Sequence, residues 1–327
     1  MKPTFHAGLI NGPFEDPCVY VGIIRERRAL LFDIGSIGRL GAGNLMKVTD
    51  VFVTHTHIDH FIGFDTLLRV VLHRESPLRL YGPENIIRCV EGKLRGYTWN
   101  LIREYPLKIE VFEVRGPGLA HASFHAEHSF ERRDHPITEF SGTLVSTSFF
   151  TVRGLQLSHQ IPVMAYLLEE EFHININKAA LTERGLPVGP WLSDLKRAIR
   201  EGAPGETTFE VAGMRLALRD LMQIVSLTRG QKVAYVTDIA PTEENREKVI
   251  PFIRGADQLF CEAYFLERDS DRARERHHLT AALAGRIARE AEVAHLELMH
   301  FSPKYRYNEG EIHQEAMREF RGGERYA

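Results

Sequence analysis

Cysteine is scarce: Cys18, Cys89 and Cys261 are the only three in 327 residues, and no two form a C-x-x-C pair. An odd, scattered set excludes a disulfide framework and fits a reducing compartment, so a cytoplasmic location is expected. Long apolar runs are missing as well. No stretch approaches the ~18–20 residues of a membrane span. The start, Met1-Lys2-Pro3-Thr4-Phe5-His6, lacks the apolar core of a secretory leader. No membrane is therefore expected among the partners. Charge of one sign is not in excess either, since 41 Lys and Arg against 44 Asp and Glu leave −3. A polyanion would have to be met by a local patch and not by a basic tail. With 43% hydrophobic and 26% charged residues, composition excludes disordered, collagen-like and coiled-coil readings. What is abundant is histidine, 16 in all, several of them beside carboxylates.

Short β-rich runs alternate with helical patterns and no internal repeat interrupts them, which predicts an α/β layered domain. Cys18–Ile24 and Ala29–Asp33 read as a hairpin, and Val51–Thr54 as a buried strand. Phe61, Phe64, Leu67, Leu68, Val71 and Leu72 keep helical spacing, predicting a helix over 60–73. Further strands are predicted at 107–114, 143–152, 163–170, 232–237, 258–261 and 295–299, and helices at 280–291 and 310–320. Residues 174–206, rich in Gly, Pro, Lys and Arg, read as an arm-like excursion from a single domain spanning 1–327.

Four of these strands run into a histidine or a carboxylate: Val51–Thr54 into His55, Val233–Thr237 into Asp238, Leu259–Cys261 into Glu262, and Leu296–Met299 into His300. A buried apolar strand ordinarily ends in a turn residue. Repeated endings of this kind suggest that chemistry converges at one edge of a sheet.

The densest motif is Thr54-His55-Thr56-His57-Ile58-Asp59-His60. Imidazole nitrogen and carboxylate oxygen suit zinc, and also manganese, iron or cobalt. His55 and His57, two apart in an extended loop, can face one ion. Asp59 and His60, where a helix begins, can face a second. His159, Asp238 and His300 stand in suitable contexts to complete the set, although Asp238 ahead of Pro241 also reads as a turn residue. A second group, His121, His125, His128 and His135, has spacings that could align three of them on a helix, but reads more simply as a solvated loop with Glu127 and Glu131 nearby. The run Glu267–Arg276 balances four charges of each sign and reads as a self-paired surface segment.

His55-Thr56-His57-Ile58-Asp59-His60 resembles the signature of the metallo-β-lactamase superfamily. Later segments resemble one branch of it, the ribonuclease Z (tRNA 3′-processing endonuclease) group. Cys261-Glu262-Ala263-Tyr264-Phe265 resembles that group's Glu-Ala-Thr-Phe, and His278-Leu279-Thr280-Ala281 its His-Ser-Thr-Ala. His300-Phe301-Ser302-Pro303-Lys304-Tyr305 resembles its His-Phe-Ser-Pro-Arg-Tyr. Gly185-Leu186-Pro187-Val188-Gly189-Pro190 resembles the base of its RNA-binding arm. The sequence departs from the group at Asp33-Ile34-Gly35-Ser36-Ile37-Gly38, where the group has Asp-Cys-Gly-Glu-Gly-Thr, and at Thr237-Asp238-Ile239, where it has Gly-Asp-Thr.

The resemblance implies an αββα sandwich, two mixed sheets face to face with helices outside. It also implies two divalent metal ions, zinc first, with manganese or iron as alternatives. By resemblance His55, His57, His159 and Asp238 hold one ion, and Asp59, His60, Asp238 and His300 the other. Asp59 doubles as a proton acceptor. His278 acts in catalysis outside the ligand set, and Glu262 orients it or a ligand. Lys178, Arg184, Lys196, Arg197 and Arg200 are candidate RNA contacts, and Trp191 and Leu192 either pack the arm or stack on a base. The expected activity is hydrolysis of precursor tRNA by a homodimer. The alternatives are a hydrolase of a small phosphodiester or other ester and, third, a non-catalytic homologue.

Overall fold

The computed structural model describes residues 3–24 and 26–322. Met1 and Lys2, read above as part of a leader-free start, and the last five residues of the expected 1–327 domain lie outside them. Its chain contacts divide into two compact units. One comprises 1–144, 152–168 and 232–327, the other 145–151 and 169–231.

The first unit holds two mixed sheets. In the larger, eight strands follow chain order: Phe5–Leu9, Val19–Ile23, Ala29–Phe32, Val48–Phe52, Leu78–Pro83, Lys108–Arg115, Gly118–His125 and Arg132–Glu139. Pairing is parallel from the third strand to the sixth and antiparallel on either side. The smaller runs Leu296–Met299, Gln258–Glu262, Lys232–Val236, Ile161–Glu170, Phe150–His159, Thr143–Ser146, with its first three strands parallel.

The central strands read as continuous apolar runs because both faces are covered. In Ala29–Phe32, Ala29 and Leu31 join a core shared with helical Phe64, Leu67, Leu68 and Val71. The alternate residue Phe32 turns inward onto Tyr166 and Tyr235 of the other sheet, with ring centroids 5.9 and 5.6 Å away. Phe52 does the same, 5.5 Å from Tyr166. The second sheet repeats the pattern, packing Ala234, Val236, Leu259 and Cys261 against Ala281, Ala284, Ile287 and Ala288 of the helix Ala281–Glu290. The result is the helix–sheet–sheet–helix layering expected from the sequence.

Three local expectations change. The helix expected over 60–73 is two, Ile58–Phe61 and Phe64–Val71. The interruption falls at Gly63, whose N–H donates to the carbonyl of Ile34 and where a Cβ would lie 2.2 Å from the carbonyl oxygen of Gly35. The run expected as one strand over 143–152 is two strands, parted at Thr147, whose hydroxyl accepts from the N–H groups of Phe149 and Phe150. His121, His125 and His135 sit on strands, with His128 at the end of the single 3-10 turn Ala126–His128 between them, so they share no α-helical face.

The second unit carries the helices Lys178–Glu183 and Trp191–Arg200, a two-stranded antiparallel sheet of Phe172–Ile176 with Val225–Arg229, and a hairpin of Thr208–Val211 with Met214–Ala217. It has its own small core of Leu181, Leu186, Leu195, Val211, Leu218, Leu221 and Ile224. The excursion expected at 174–206 is thus part of a larger packed unit.

Candidate metal centre

Every residue proposed as a metal ligand belongs to the first unit, at or just after the ends of its strands. Three turns there are strained. Asp33 and His300 directly follow a strand, Asp238 comes one residue after one, and Asp33, His300 and Asp238 adopt φ of +54°, +55° and +51°. This left-handed region is unfavourable for residues with a Cβ, and such strain clusters at functional sites. Close backbone approach holds the next loop. A Cβ on Gly35 would lie 2.5 Å from the carbonyl oxygen of Asp59, so Gly35 lets the ligand loop pack against the strand-end turn.

Four groups of donor atoms result: His55, His57 and His159; His55, His60 and Asp238; Asp59, His60 and His300; and Asp238 with Glu262, His278 and His300. Asp238 joins them. Its Oδ2 lies 2.8 Å from Nε2 of His60, and its Oδ1 lies 3.9 Å from Nε2 of His159, 3.2 Å from Nδ1 of His278 and 3.5 Å from Nδ1 of His300. Asp59 Oδ2 approaches Nε2 of His60 and of His300 at 3.4 and 3.3 Å.

The donors fit a metal by their second nitrogens. A ligating imidazole anchors one nitrogen on the protein and gives the other to the ion. Nδ1 of His60 is 2.7 Å from Asp33 Oδ2, Nδ1 of His159 donates to the carbonyl of His277 at 2.8 Å, and Nδ1 of His55 meets the hydroxyl of Thr54 at 3.1 Å. Each leaves Nε2 for a cation. Among the described residues, Nε2 of His55, Nε2 of His60 and Nδ1 of His300 are buried and lack a well-formed hydrogen bond, although Nε2 of His60 lies 2.8 Å from Asp238 Oδ2. Buried polar nitrogens in that condition are costly unless something else binds them.

The electrostatics agree. Burial, then the neighbouring His60, pushes His55 down to about 2, against the pull of Asp238, keeping it neutral. Burial also lowers His159. Burial opposes charge on His60 and His300, yet Asp238 and Asp33 hold His60 well above the ordinary imidazole value, and Asp238, Asp59 and Glu262 lift His300 to about 10. Burial works against ionising Asp59, but His300 and His60 hold it below the usual carboxylate range. Burial likewise opposes charge on Asp238, while His300 and His60 hold it well below that range. The carboxylates thus favour positive charge at the centre, as a proton or as a metal ion. The two compete, so metal affinity falls as pH falls and His60 and His300 take up protons. Metal retained after dialysis at stepwise lower pH checks this sign.

His278, of the last group, is anchored by a carboxylate. Its Nδ1 lies 2.8 Å from Oε2 of the fully buried Glu262. His278 holds that carboxyl below its ordinary range despite burial, so Glu262 accepts the Nδ1 proton. Glu262 also accepts the N–H of Ile239 at 2.8 Å, which braces the turn carrying Asp238. Tyr264 stacks on the His278 ring at 4.1 Å and 11°.

Asp33 was visible in the sequence only as the end of a strand. In the structure it is fully buried and accepts from the N–H and hydroxyl of Thr54, meets His60, and accepts from the hydroxyl of Tyr235 at 2.8 Å. A carboxylate at the end of a buried apolar strand was the available signal, the same one carried by Asp238 and Glu262. Asp33→Ala is expected to weaken metal binding roughly 10–100-fold, the usual effect of removing such a partner. A competitive chelator titration measures it.

No family model matches the chain. It is 31% identical to the ribonuclease Z of Halalkalibacterium halodurans over 279 residues, 84% of this chain and 77% of that protein. The chain belongs to the ribonuclease Z family. The ribonuclease Z of Deinococcus radiodurans is 29% identical over 307 residues, 92% of this chain and 91% of the relative. The metallo-β-lactamase fold protein YhfI from Bacillus subtilis superposes with a TM-score of 0.56 at 17% identity, covering 97% of this chain and 93% of that one. The metallo-β-lactamase fold is therefore the fold of this member of the ribonuclease Z family, a metal-dependent hydrolase.

The residues read as RNA contacts lie in the second unit and divide by environment. Lys178, Arg184 and Arg197 are exposed, the last paired with Asp194 at 2.5 Å. Lys196 donates to the carbonyl of Ile174 at 2.6 Å. Arg200 is half-buried: its guanidinium pairs with buried Glu170 at 2.9 Å and lies 3.9 Å from the Phe149 ring centroid. Trp191 and Leu192 pack against the small core, and the Trp191 indole N–H donates to the Pro187 carbonyl, so they serve packing.

Proposed function

We propose that this chain is a dinuclear-zinc endoribonuclease that cleaves precursor tRNA at its 3′ end. The single observation that carries the reading is the position of Asp238, with one oxygen beside His60 and the other beside His159, His278 and His300. His55, His57 and His159 would hold one ion with Asp238, and Asp59, His60 and His300 the other with the same carboxylate. Two such ions supply a hydroxide nucleophile near neutral pH and countercharge for the phosphodiester. The protein's own groups do the rest. Asp59, anchored by His300 and half-exposed, is placed to accept a proton from water at the centre. Glu262 holds Nδ1–H on His278, so a second proton, taken up at Nε2, would be the one given to the departing ribose oxygen. Manganese or iron would suit the same donors. A cytoplasmic homodimer is the assembly this reading takes.

Binding of folded RNA would come from the second unit. Residues 178–200 carry five basic and two acidic side chains, +3 in a chain of −3. Phosphate contacts of this kind give salt-sensitive affinity without sequence reading, suited to a ligand recognised by shape. Leu181, Leu186 and Leu195 hold that unit's core, so the test reverses charge on the surface and leaves the leucines in place. The triple variant Lys178→Glu, Arg184→Glu, Arg197→Glu is expected to raise KM for precursor tRNA strongly and flatten its salt dependence. Hydrolysis of a small chromogenic phosphodiester should be unchanged. Unaltered tRNA cleavage would argue for a small phosphodiester as the natural substrate.

A further inference from the structure

We propose that Glu110, His121 and His135 form a second metal site, apart from the dinuclear centre, that takes one divalent transition-metal ion of zinc-like preference. These are the histidines that the sequence grouped and the catalytic reading leaves unused. They lie on three adjacent strands at the end of the eight-stranded sheet, Lys108–Arg115, Gly118–His125 and the edge strand Arg132–Glu139.

Register brings them together. Phe112 pairs with His121, and Glu110 with Ser123, so Glu110 and His121 share one sheet face at neighbouring positions. The next pairing contains an irregularity. Leu119 pairs with Thr138 but His121 with His135, so two steps on one strand meet three on the other. A bulge of this kind re-aims a side chain, and here it sets His135 opposite His121, beside Pro136 on the edge strand. The two rings stack at 4.2 Å and 15°.

The face they occupy continues a row of stacked rings. Phe52 and Tyr81 lie 4.8 Å apart, Tyr81 and Phe112 5.0 Å, and Phe112 and His121 4.5 Å. The row is carbocyclic for three strands and becomes imidazole for the last two. Stacking alone would be served as well by phenyl rings. The change of ring coincides with a carboxylate: Glu110 Oε2 is 2.6 Å from Nε2 of His121, and its Oε1 is 3.7 Å from Nε2 of His125. Glu110 is 21% exposed and His121 25% exposed at the side chain, so the pair is largely shielded. Nε2 of His135 is 2.9 Å from the Ser123 hydroxyl, which fixes that ring.

One donor atom from each of Glu110, His121 and His135 lies within 4.8 Å of the others. Zinc bonds of about 2.0–2.1 Å in a tetrahedral set space the donors roughly 3.3 Å apart. Reaching that geometry takes an opening between Glu110 and His121 and a turn of the His135 ring out of its stack on His121, with water as fourth ligand. Two imidazoles and one carboxylate select zinc, nickel or copper over magnesium or calcium. Such an ion would clip the edge strand, seven of whose eight residues are exposed, to the rest of the sheet.

The experiment uses the full chain, purified with its catalytic ions and dialysed to equilibrium against micromolar Zn2+, with metal content read by mass spectrometry. The double variant His121→Phe, His135→Phe keeps stacked rings and removes every nitrogen donor. It should bind one equivalent less than wild type, while its hydrolysis of a small phosphodiester stays at the wild-type rate, showing that it is folded. Glu110→Gln should weaken that last equivalent roughly ten-fold or more. His128→Phe, whose ring is 68% exposed and outside the donor set, should keep it. Zn2+ should raise the Tm of wild type further than that of the double variant. Equal metal content in wild type and double variant would overturn the proposal, as would an equal loss in His128→Phe.

Discussion

Asp238→Ala should abolish hydrolysis and lower metal content at both positions of the centre, whereas His300→Ala should empty mainly one. The asymmetry follows from contacts. Asp238 approaches His60 with one oxygen and His159, His278 and His300 with the other, at 2.8 to 3.9 Å. His300 meets Asp59 and Asp238 but neither His55 nor His57 at comparable range. Removing Asp238 takes away a buried anion on which several imidazoles depend, and the remaining cluster loses its means of holding two cations close together. Metal analysis of the purified variants decides the matter. Two full equivalents remaining in the Asp238 variant would remove the bridging assignment.

Much of this centre could be read from the chain because its geometry is short-range. A buried strand that runs towards His55, Asp238, Glu262 or His300 declares its direction by apolar continuity, and parallel strands within each sheet deliver their ends to one edge, the first of these in the larger sheet and the other three in the smaller. The layering was legible for the same reason, since runs such as Ala29–Phe32 are apolar at every position and require cover on both faces. What periodicity could not carry was contact at a distance in sequence. The interruption of the helix after His60 depends on the backbone of Gly35, 28 residues earlier, against which no side chain fits at Gly63. Asp33 acquires its role through Tyr235, 202 residues away. Arg200 looked like a free cation among Lys and Arg, and only folding brings it onto Glu170 and Phe149. Helical spacing of His121, His125 and His128 was a coincidence of numbers. The alternating burial of Gly118–His125 is that of a strand, and its polar members sat where an amphipathic strand also places them.

His278→Ala should leave metal content intact and lower turnover on precursor tRNA by about 10²–10⁴-fold, the range a positioned general acid contributes. The retained metal follows from Nε2. Nδ1 is committed to Glu262 at 2.8 Å, as in a ligating imidazole, and Glu262 is itself fixed by the N–H of Ile239. Nε2 is not among the buried nitrogens left without a hydrogen bond, as those of His55 and His60 are. The stacked Tyr264 restrains the ring further. The leaving group separates the roles open to it. A ribose oxygen departs as a strong base and gains much from a proton. A nitrophenolate departs as a weak base and gains little, because general acid catalysis scales with the basicity of the group protonated. The variant should therefore retain most of its rate on a nitrophenyl phosphodiester while failing on RNA. Equal losses on both would make His278 a stabiliser of charge at phosphorus instead of a proton donor. Loss of metal in the variant would return His278 to the ligand set, in the grouping with Asp238, Glu262 and His300 that the distances also allow. Glu262→Gln gives the intermediate case. An amide in that position no longer fixes the Nδ1 proton, so the rate on RNA should fall and its pH profile should shift, with nitrophenyl ester hydrolysis again spared.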